Sequence, residues 1–160
     1  MKKKDIYKMI REGRNWEAAE ALTEFHSEEK LGGAQGAVDL FMKYAFKRQE
    51  YYFIASLNSA HGVIAVHEIT KGILNSVPVH PREIFRSAIL DNAAGIVIGH
   101  NHPSGSLELS EEDITIINDL SKAGEVLGIP VLDHILISRN GASSYMSEKE
   151  EECDSDSQGD

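Results

Sequence analysis

Apolar and polar positions along this chain predict helices and strands that alternate. Apolar residues near helical spacing predict helix over residues 5–25, and the same spacing predicts a second helix over residues 34–47. Runs rich in aromatic and β-branched residues predict strands at 51–57 and 63–70. The polar, glycine-containing segment between them is typical of a turn, so these strands are expected to form an antiparallel hairpin.

The second half of the chain continues this alternation. Pro81 suits the first position of a helix that should end at Asp91-Asn92, with a buried side made of Ile84, Phe85, Ala88 and Ile89. A further amphipathic helix is predicted over about 111–126. Additional strands are predicted at 94–99, 131–137 and 143–146. The order of elements predicts an α/β fold in which a mixed central sheet is flanked by helices.

Composition divides the chain into three parts. Residues 1–33 are expected to form an N-terminal helical extension, and residues 34–146 one folded domain. Residues 147–160 are low in apolar and rich in acidic residues, which predicts a disordered acidic tail. A hydrophobic content of 41% in 160 residues is enough for one sizeable core.

Cysteine usage and hydropathy indicate the compartment. The single cysteine, Cys153, lies in the polar tail, which excludes a disulfide framework and a cysteine-based zinc ribbon. The sequence has neither a pattern typical of a signal peptide nor an apolar run long enough to span a bilayer. We therefore expect a cytoplasmic protein without a membrane partner.

The charge distribution bears on nucleic-acid binding. The net charge is −10, of which residues 147–160 carry −6, while residues 1–14 carry +4. The intervening chain is therefore acidic, which disfavours a strong non-specific grip on phosphates. A nucleic-acid partner thus has weak support, namely the basic first fourteen residues, which a solvated helix explains equally well.

Two histidines and a carboxylate form the strongest candidate for chemistry. His100 and His102 follow the apolar strand, and residues two apart on a strand point to the same side. Asp113 falls in the first turn of the next helix. Such a set leaves a fourth tetrahedral position open, as in catalytic zinc sites, and a non-haem iron facial triad is the alternative.

Asp113 also has a structural interpretation. Ser110 is placed to cap the following helix, and an acidic residue three positions later fits a capping box. A box usually uses Glu or Gln there, and Asp is expected to be too short to reach back, which favours metal ligation. Ser110 could cap the helix and still direct its hydroxyl at the site.

Hydrolysis by a metal-activated water needs a general base, and the sequence offers two. Glu50 precedes the first strand and Glu68 lies within the second, and position alone does not separate them. Other polar residues are given lesser roles. His80 is expected to be structural, His134 to be packed or hydrogen-bonded, and Asp133 to orient a ligand histidine.

These residues together resemble a known motif. Glu50, His100-Asn101-His102-Pro103 and Ser110-Glu111-Glu112-Asp113 resemble the JAMM motif of the JAB/MPN metalloproteases. The similarity to the RadC-like branch of that family rests on further segments, namely Lys71-Gly72, Asn75-Ser76, Val79-His80-Pro81-Arg82-Glu83, His102-Pro103-Ser104-Gly105 and Asp133-His134.

The resemblance implies a cytidine deaminase-like fold and a zinc hydrolase. It implies that His100, His102 and Asp113 bind Zn²⁺ with a water as fourth ligand. It also implies that Glu50 is the acid/base and that Ser110 hydrogen-bonds the oxyanion.

The function implied is hydrolysis of amide, peptide or isopeptide bonds in a peptide or amide substrate. The alternatives are a DNA-repair or DNA-processing factor of RadC type and a non-catalytic MPN scaffold. RadC-like proteins also carry an N-terminal helical domain, and about fifty residues before the first strand are too few for that domain plus the helix at 34–47.

Overall fold

The fold was analysed in a computed structural model, which describes residues 31, 33–71 and 79–146. Nearly all of the predicted N-terminal extension (1–33) and the acidic tail (147–160) lie outside these residues. Their predicted helix and disorder therefore stay predictions. The boundaries proposed at residues 34 and 146 are likewise untested.

The described chain forms a five-stranded mixed sheet with helices on both faces. Its elements in order are α1 (Gly33–Phe41), a 3₁₀ turn (Met42–Tyr44), β1 (Tyr51–Leu57), β2 (Val63–Lys71), α2 (Pro81–Leu90), β3 (Gly95–Asn101), α3 (Glu111–Leu127), β4 (Val131–Ser138) and β5 (Gly141–Ser144). The strand order is β2-β1-β3-β4-β5. The predicted α/β class with a mixed central sheet is confirmed.

One pair of neighbouring strands is parallel, and this pair fixes where a site can form. β3 and β4 run parallel and are joined through α3, whereas the other neighbouring pairs are antiparallel. The start of α3 therefore follows the carboxyl end of β3 after one loop. Ligand sites of α/β sheets commonly lie at this position.

Each face of the sheet has its own core. Phe53 and Phe41 lie in the core between the sheet and α1, with ring centroids 4.6 Å apart. Tyr52, Ile54, Ile96 and Ile98 lie in the core shared with α2 and α3. Successive residues of β1 thus serve opposite cores, as the two-residue period of a strand requires. Within the described ranges, no helix combines the length and apolarity needed to cross a bilayer.

Two helix predictions need correction. The helix predicted over 34–47 ends at Phe41 and tightens into the 3₁₀ turn, where the Tyr44 ring stacks on Phe53 at 4.3 Å. Packing against the sheet decides this end, which helical spacing does not show. Ile89 is 56% exposed rather than buried, because it lies in the last turn of α2, beyond the buried Ile84, Phe85 and Ala88.

The strands differ from their predictions mainly in length. β3 continues two residues past the predicted end, because Asn101 still pairs with Ile137 of β4. The segment predicted at 131–137 is a continuous strand, so His134 lies within it rather than at its start. The predicted closing strand at 143–146 lies two residues earlier, where β5 pairs with the end of β4.

Gly99 provides a test of the packing between β3 and α1. An added Cβ would overlap the ring of Phe53 and come within 3.0 Å of the Phe41 ring. We expect Gly99→Ala to lower the free energy of unfolding by about 1–3 kcal/mol, because two buried rings must shift. Urea denaturation measures this change. Gly95→Ala is the control, since its nearest neighbour is the Leu132 side chain at 3.3 Å; an equal loss in both variants would contradict this account.

Candidate metal centre

The candidate site lies where β3 ends and α3 begins. The backbone N–H of His102 donates to the carbonyl of Ile137 at 2.9 Å, so the chain stays extended past the strand end. Asp113 enters from the first turn of α3. Glu50, His100, His102 and Asp113 each offer a ligand atom, and these four atoms lie within 4.8 Å of one another. The four residues that the sequence singled out are thus brought together.

The separations among three of these residues suit a tetrahedral ion. The Nε2 atoms of His100 and His102 are 3.1 Å apart. His100 Nε2 lies 3.5 Å from Asp113 Oδ1, and His102 Nε2 lies 3.5 Å from Oδ2. Ligands about 2.0–2.1 Å from a tetrahedral zinc ion are about 3.3 Å from one another. Two imidazoles and a carboxylate are also donors that zinc accepts.

Asp113 is both a helix cap and a member of this cluster. The Ser110 backbone N–H donates to Asp113 Oδ2 at 2.8 Å, and the Asp113 N–H donates to Ser110 Oγ at 3.1 Å. The capping box is therefore complete, and the expectation that Asp is too short for it was wrong. The other oxygen, Oδ1, accepts from the Tyr52 hydroxyl at 3.1 Å. Capping and ligation use one carboxylate, so they are not alternatives.

The ionisation of Asp113 follows from these partners. Burial alone raises the pKa of Asp113, but contacts with His102 and Ser110 outweigh it and hold this pKa far below its ordinary value. Tyr52 is held neutral, since burial and the nearby Asp113 raise its pKa. The carboxylate is therefore ionised at neutral pH and faces the two imidazoles.

His100 is fixed from two directions. Its ring stacks on Tyr52 with centroids 4.9 Å apart, and its Nδ1 lies 2.7 Å from His134 Nε2. Burial and then His134 lower the pKa of His100 well below its usual value, and burial lowers the pKa of His134 to about 4. Both rings are consequently neutral near pH 7, the form in which imidazole binds a metal.

Tyr52 is the contact that sequence reasoning missed, and His134 was assigned only a packed or hydrogen-bonded place. Tyr52 of β1 pairs with His100 of β3. His134 of β4 pairs with Ile98 of β3. Alternation in each strand could indicate which residues share a face. The partner across strands depends on register, which a single sequence does not display.

His134 is held through its contact with His100 and by packing. Its second ring nitrogen, Nδ1, is buried without a hydrogen-bond partner among the residues that the structure describes. Its ring meets His100 edge-on, with centroids 4.9 Å apart. A change at His134 should therefore act first on His100.

His102 and Glu50 form the more accessible side of the cluster. His102 is partly buried, and its contact with Asp113 raises its pKa above the usual value. Burial raises the pKa of Glu50; His102 opposes this shift, while Asp113 and Glu112 reinforce it. A carboxylate with a raised pKa holds and releases a proton closer to neutral pH than an ordinary glutamate does.

The two candidate bases lie in different places. Glu50 belongs to the cluster, whereas Glu68 is exposed on β2 opposite Phe53, whose ring packs towards α1. The negative charge of Glu68 acts on Tyr44, a residue of that same core. Of the two candidate bases, Glu50 is therefore the one that lies near the histidines.

The Ser110 hydroxyl lies beside the cluster and donates to Asp113 Oδ2 at 2.6 Å.

The loop from His102 to Ser110 is held by residues at the end of β4 and in the turn that follows it. Asn140 Nδ2 donates to the carbonyl of Gly105 at 2.8 Å, and Ser138 Oγ donates to the same carbonyl at 3.2 Å. Gly105 has a φ of 94°, a conformation that favours glycine. These contacts explain the geometry of the Pro-Ser-Gly segment.

Two of the lesser predictions are now decided. Asp133 does not orient a ligand histidine: its carboxylate accepts from the backbone N–H of His134 at 2.7 Å and from Ser144 Oγ at 2.8 Å. Strand alternation directs it away from the face that carries His134, and His134 itself contacts His100. His80 caps α2, with its Nδ1 accepting from the N–H of Arg82 at 3.2 Å. Its structural assignment is confirmed.

Comparison with known proteins gives a consistent assignment. Residues 33–152 match the family model described as the RadC-like JAB domain. Similar curated proteins, each named a UPF0758 protein, occur in Methanospirillum hungatei (48% identical over 63% of this chain and 45% of the relative) and Alkaliphilus metalliredigens (47% over 69% and 47%). The chain spans a little under half the length of these relatives. With three quarters of its residues matched, the chain belongs to the RadC-like JAB domain family.

Proposed function

We propose that this protein is a zinc-dependent hydrolase of amide, peptide or isopeptide bonds. The observation that carries the proposal is the triangle of His100 Nε2, His102 Nε2 and the Asp113 carboxylate, with sides of 3.1 to 3.5 Å. Glu50 stands beside this triangle as the most accessible of the four residues. Catalytic zinc centres commonly have three protein ligands, and here the Glu50 carboxylate lies beside such a set of three.

The ligand residues are prepared for a divalent cation. Asp113 is ionised and His100 is neutral, so these two residues offer a negative charge and a nitrogen lone pair to a cation. If His100 Nε2 held a metal ion, the ring proton would reside on Nδ1 and would be donated to His134 Nε2, which lies 2.7 Å away. His134 would then orient the ring of His100, as hydrogen-bonded neighbours of metal-binding histidines commonly do. A bound zinc ion would polarise the scissile carbonyl and make a water acidic near neutral pH.

Glu50 acts as general base and then as general acid. Its carboxylate takes a proton from the attacking water and delivers it to the departing amide nitrogen, so that the amine leaves neutral. Its raised pKa suits both steps, because the group must accept and return a proton near neutral pH. Glu68 is too remote from the cluster to take this part.

Ser110 stabilises the developing oxyanion. Its hydroxyl is the donor beside the Asp113 carboxylate, and it serves the substrate when it rotates away from Oδ2. The capping role persists in that state, because the backbone N–H of Ser110 still donates to Asp113.

The rival functions are a DNA-processing factor of RadC type and a non-catalytic scaffold. The four-residue cluster argues against a scaffold, since it keeps two imidazoles, one of them held neutral by burial, beside an ionised carboxylate. The acidic charge between the chain ends disfavours a phosphate-rich partner. Salt-sensitive DNA binding that is lost on deleting residues 1–14 would favour the DNA-processing factor.

Exchange of each candidate base tests the mechanism. We expect Glu50→Gln to lower kcat by about 100-fold or more on peptidyl and isopeptide coumarylamides, because the proton acceptor is lost. Zinc content near one per chain should persist, as Glu50 is outside the ligand triangle. Glu68→Gln is the matched control and should retain full activity. Equal rates in Glu50→Gln and the native chain would exclude Glu50 as the base, and absence of stoichiometric zinc would exclude the proposal.

Removal of the His134 ring tests the orientation of His100. We expect His134→Leu to weaken zinc binding about 10- to 100-fold, because Nδ1 of His100 loses its acceptor. Competition with a chromophoric chelator measures the dissociation constant. His80→Asn is the matched control, since asparagine also caps a helix and the ring of His80 accepts from the Arg82 N–H rather than contacting His100. Unchanged zinc affinity in His134→Leu, with the fold intact by circular dichroism, would refute this role.

Zinc affinity should fall as the pH is lowered. Asp113 raises the pKa of His102 above 6.5, and only the neutral ring binds a metal, so protons compete with zinc at this residue. Near neutral pH Asp113 stays ionised and His100 stays neutral, so the proton on His102 is the one that competes with zinc. We expect the affinity to drop by up to about tenfold per pH unit below the pKa of His102. A constant affinity between about pH 5.5 and about pH 8 would contradict this assignment.

A further inference from the structure

Asn101 lies between the two candidate ligand histidines but serves the opposite side of the strand. Its side chain is fully buried, and its carboxamide makes two hydrogen bonds to the backbone where β1 begins. Oδ1 accepts from the Tyr51 N–H at 2.8 Å, and Nδ2 donates to the Gln49 carbonyl at 3.0 Å. The residue between these two contacts is Glu50.

The register of the sheet explains this arrangement. β1 and β3 pair antiparallel as far as Tyr52 opposite His100. Continuing that register by two residues places Tyr51 opposite Asn101 and Glu50 opposite His102. The backbone pairing between β1 and β3 stops after His100. Beyond that point the Asn101 carboxamide takes the place of a strand backbone, because it offers one donor and one acceptor to residues 49–51. Residues 49–51 are thus bound to β3 through this side chain, while Tyr51 also pairs with Lys71 of β2 on its other side.

We infer that Asn101 is the positioning residue of Glu50. The two hydrogen bonds fix the peptide groups on either side of Glu50, so the direction of its Cα–Cβ bond is set from β3. The same strand carries His100 and His102, and therefore one short segment places both the ligands and the base. This inference rests on the proposed function of Glu50, but the hydrogen bonds belong to the fold whether or not the protein hydrolyses amides.

The side-chain chemistry required here is specific to asparagine. Aspartate keeps an acceptor for the Tyr51 N–H, but its second oxygen opposes the Gln49 carbonyl and repels it. Alanine leaves the Tyr51 N–H and the Gln49 carbonyl without these partners, and a buried unpaired group is costly. Both variants should loosen residues 49–51, while the side chains of His100 and His102, on the other side of the strand, keep their contacts.

The test compares zinc-loaded Asn101→Ala and Asn101→Asp with the zinc-loaded native chain. We expect kcat for coumarylamide hydrolysis to fall about 10- to 100-fold in Asn101→Ala, because a displacement of about 1 Å costs a reacting group that much. KM and zinc affinity should change by less than about threefold. The Tyr51 amide should exchange with solvent deuterium at least about tenfold faster. Asn118→Asp, an exposed change on α3, is the control for the added charge and should match the native chain.

A double-mutant cycle separates positioning from general structural support. In the Glu50→Gln background, Asn101→Ala should lower the residual rate no further, since the group it positions is already disabled. Native activity in Asn101→Ala overturns the inference. So does a loss of zinc affinity that parallels the loss of activity, because Asn101 would then support the histidines.

The two proposals also fail separately. If the native zinc-loaded chain hydrolyses no amide, the proposed function fails, and crystal structures of native chain and Asn101→Ala decide the inference. A Glu50 backbone displaced by about 1 Å supports it, and an unmoved Glu50 overturns it.

Discussion

The pairing of β3 with β1 on one side and β4 on the other is the constraint on which the candidate site depends. The pair Tyr52–His100 places an aromatic ring flat against one candidate ligand, and β4 brings His134 to the same ring. Side chains alternate along a strand, so a shift of one residue would direct each of them to the opposite core. The large buried residues of both cores prevent such a shift, and in this sense Phe53 and Ile54 also determine the geometry of the candidate site.

Charge within the site follows from burial. A buried carboxylate is unfavourable unless it is hydrogen-bonded, and Asp113 accepts from Tyr52 and from the backbone and hydroxyl of Ser110. These contacts keep the carboxylate ionised, while burial keeps His100 neutral. An ionised carboxylate beside the nitrogen lone pair of a neutral His100 is a combination that suits a divalent cation. The capping box is therefore part of the electrostatics of the site as well as of the start of α3.

The His102–Ser110 loop illustrates how the parallel pair of strands contributes. Because β4 runs beside β3, its end reaches the loop that leaves β3, and Ser138 and Asn140 hold the Gly105 carbonyl. The Asn101 carboxamide likewise holds residues 49–51, where β1 begins, by two hydrogen bonds. Both sides of the site are thus tied to strands rather than left to the loops, which suits chemistry that tolerates little displacement.

The sequence by itself determined the class of fold and the identity of the principal residues. Hydrophobic periodicity is a local property, so it located the described strands, and the helices that begin at Pro81 and Glu111, to within two residues. The spacing of His100, His102 and Asp113 is local as well, and the resemblance to the JAMM motif favoured Glu50 over Glu68 as the base. Tertiary structure decided what depends on neighbours distant in sequence. These features are the separation of Glu50 from Glu68, the contacts of Tyr52 and His134 with His100, the end of α1 at Phe41, and the direction of Asp133 away from the histidines. Register and packing between strands fix these contacts, and neither is written in the periodicity of a single chain.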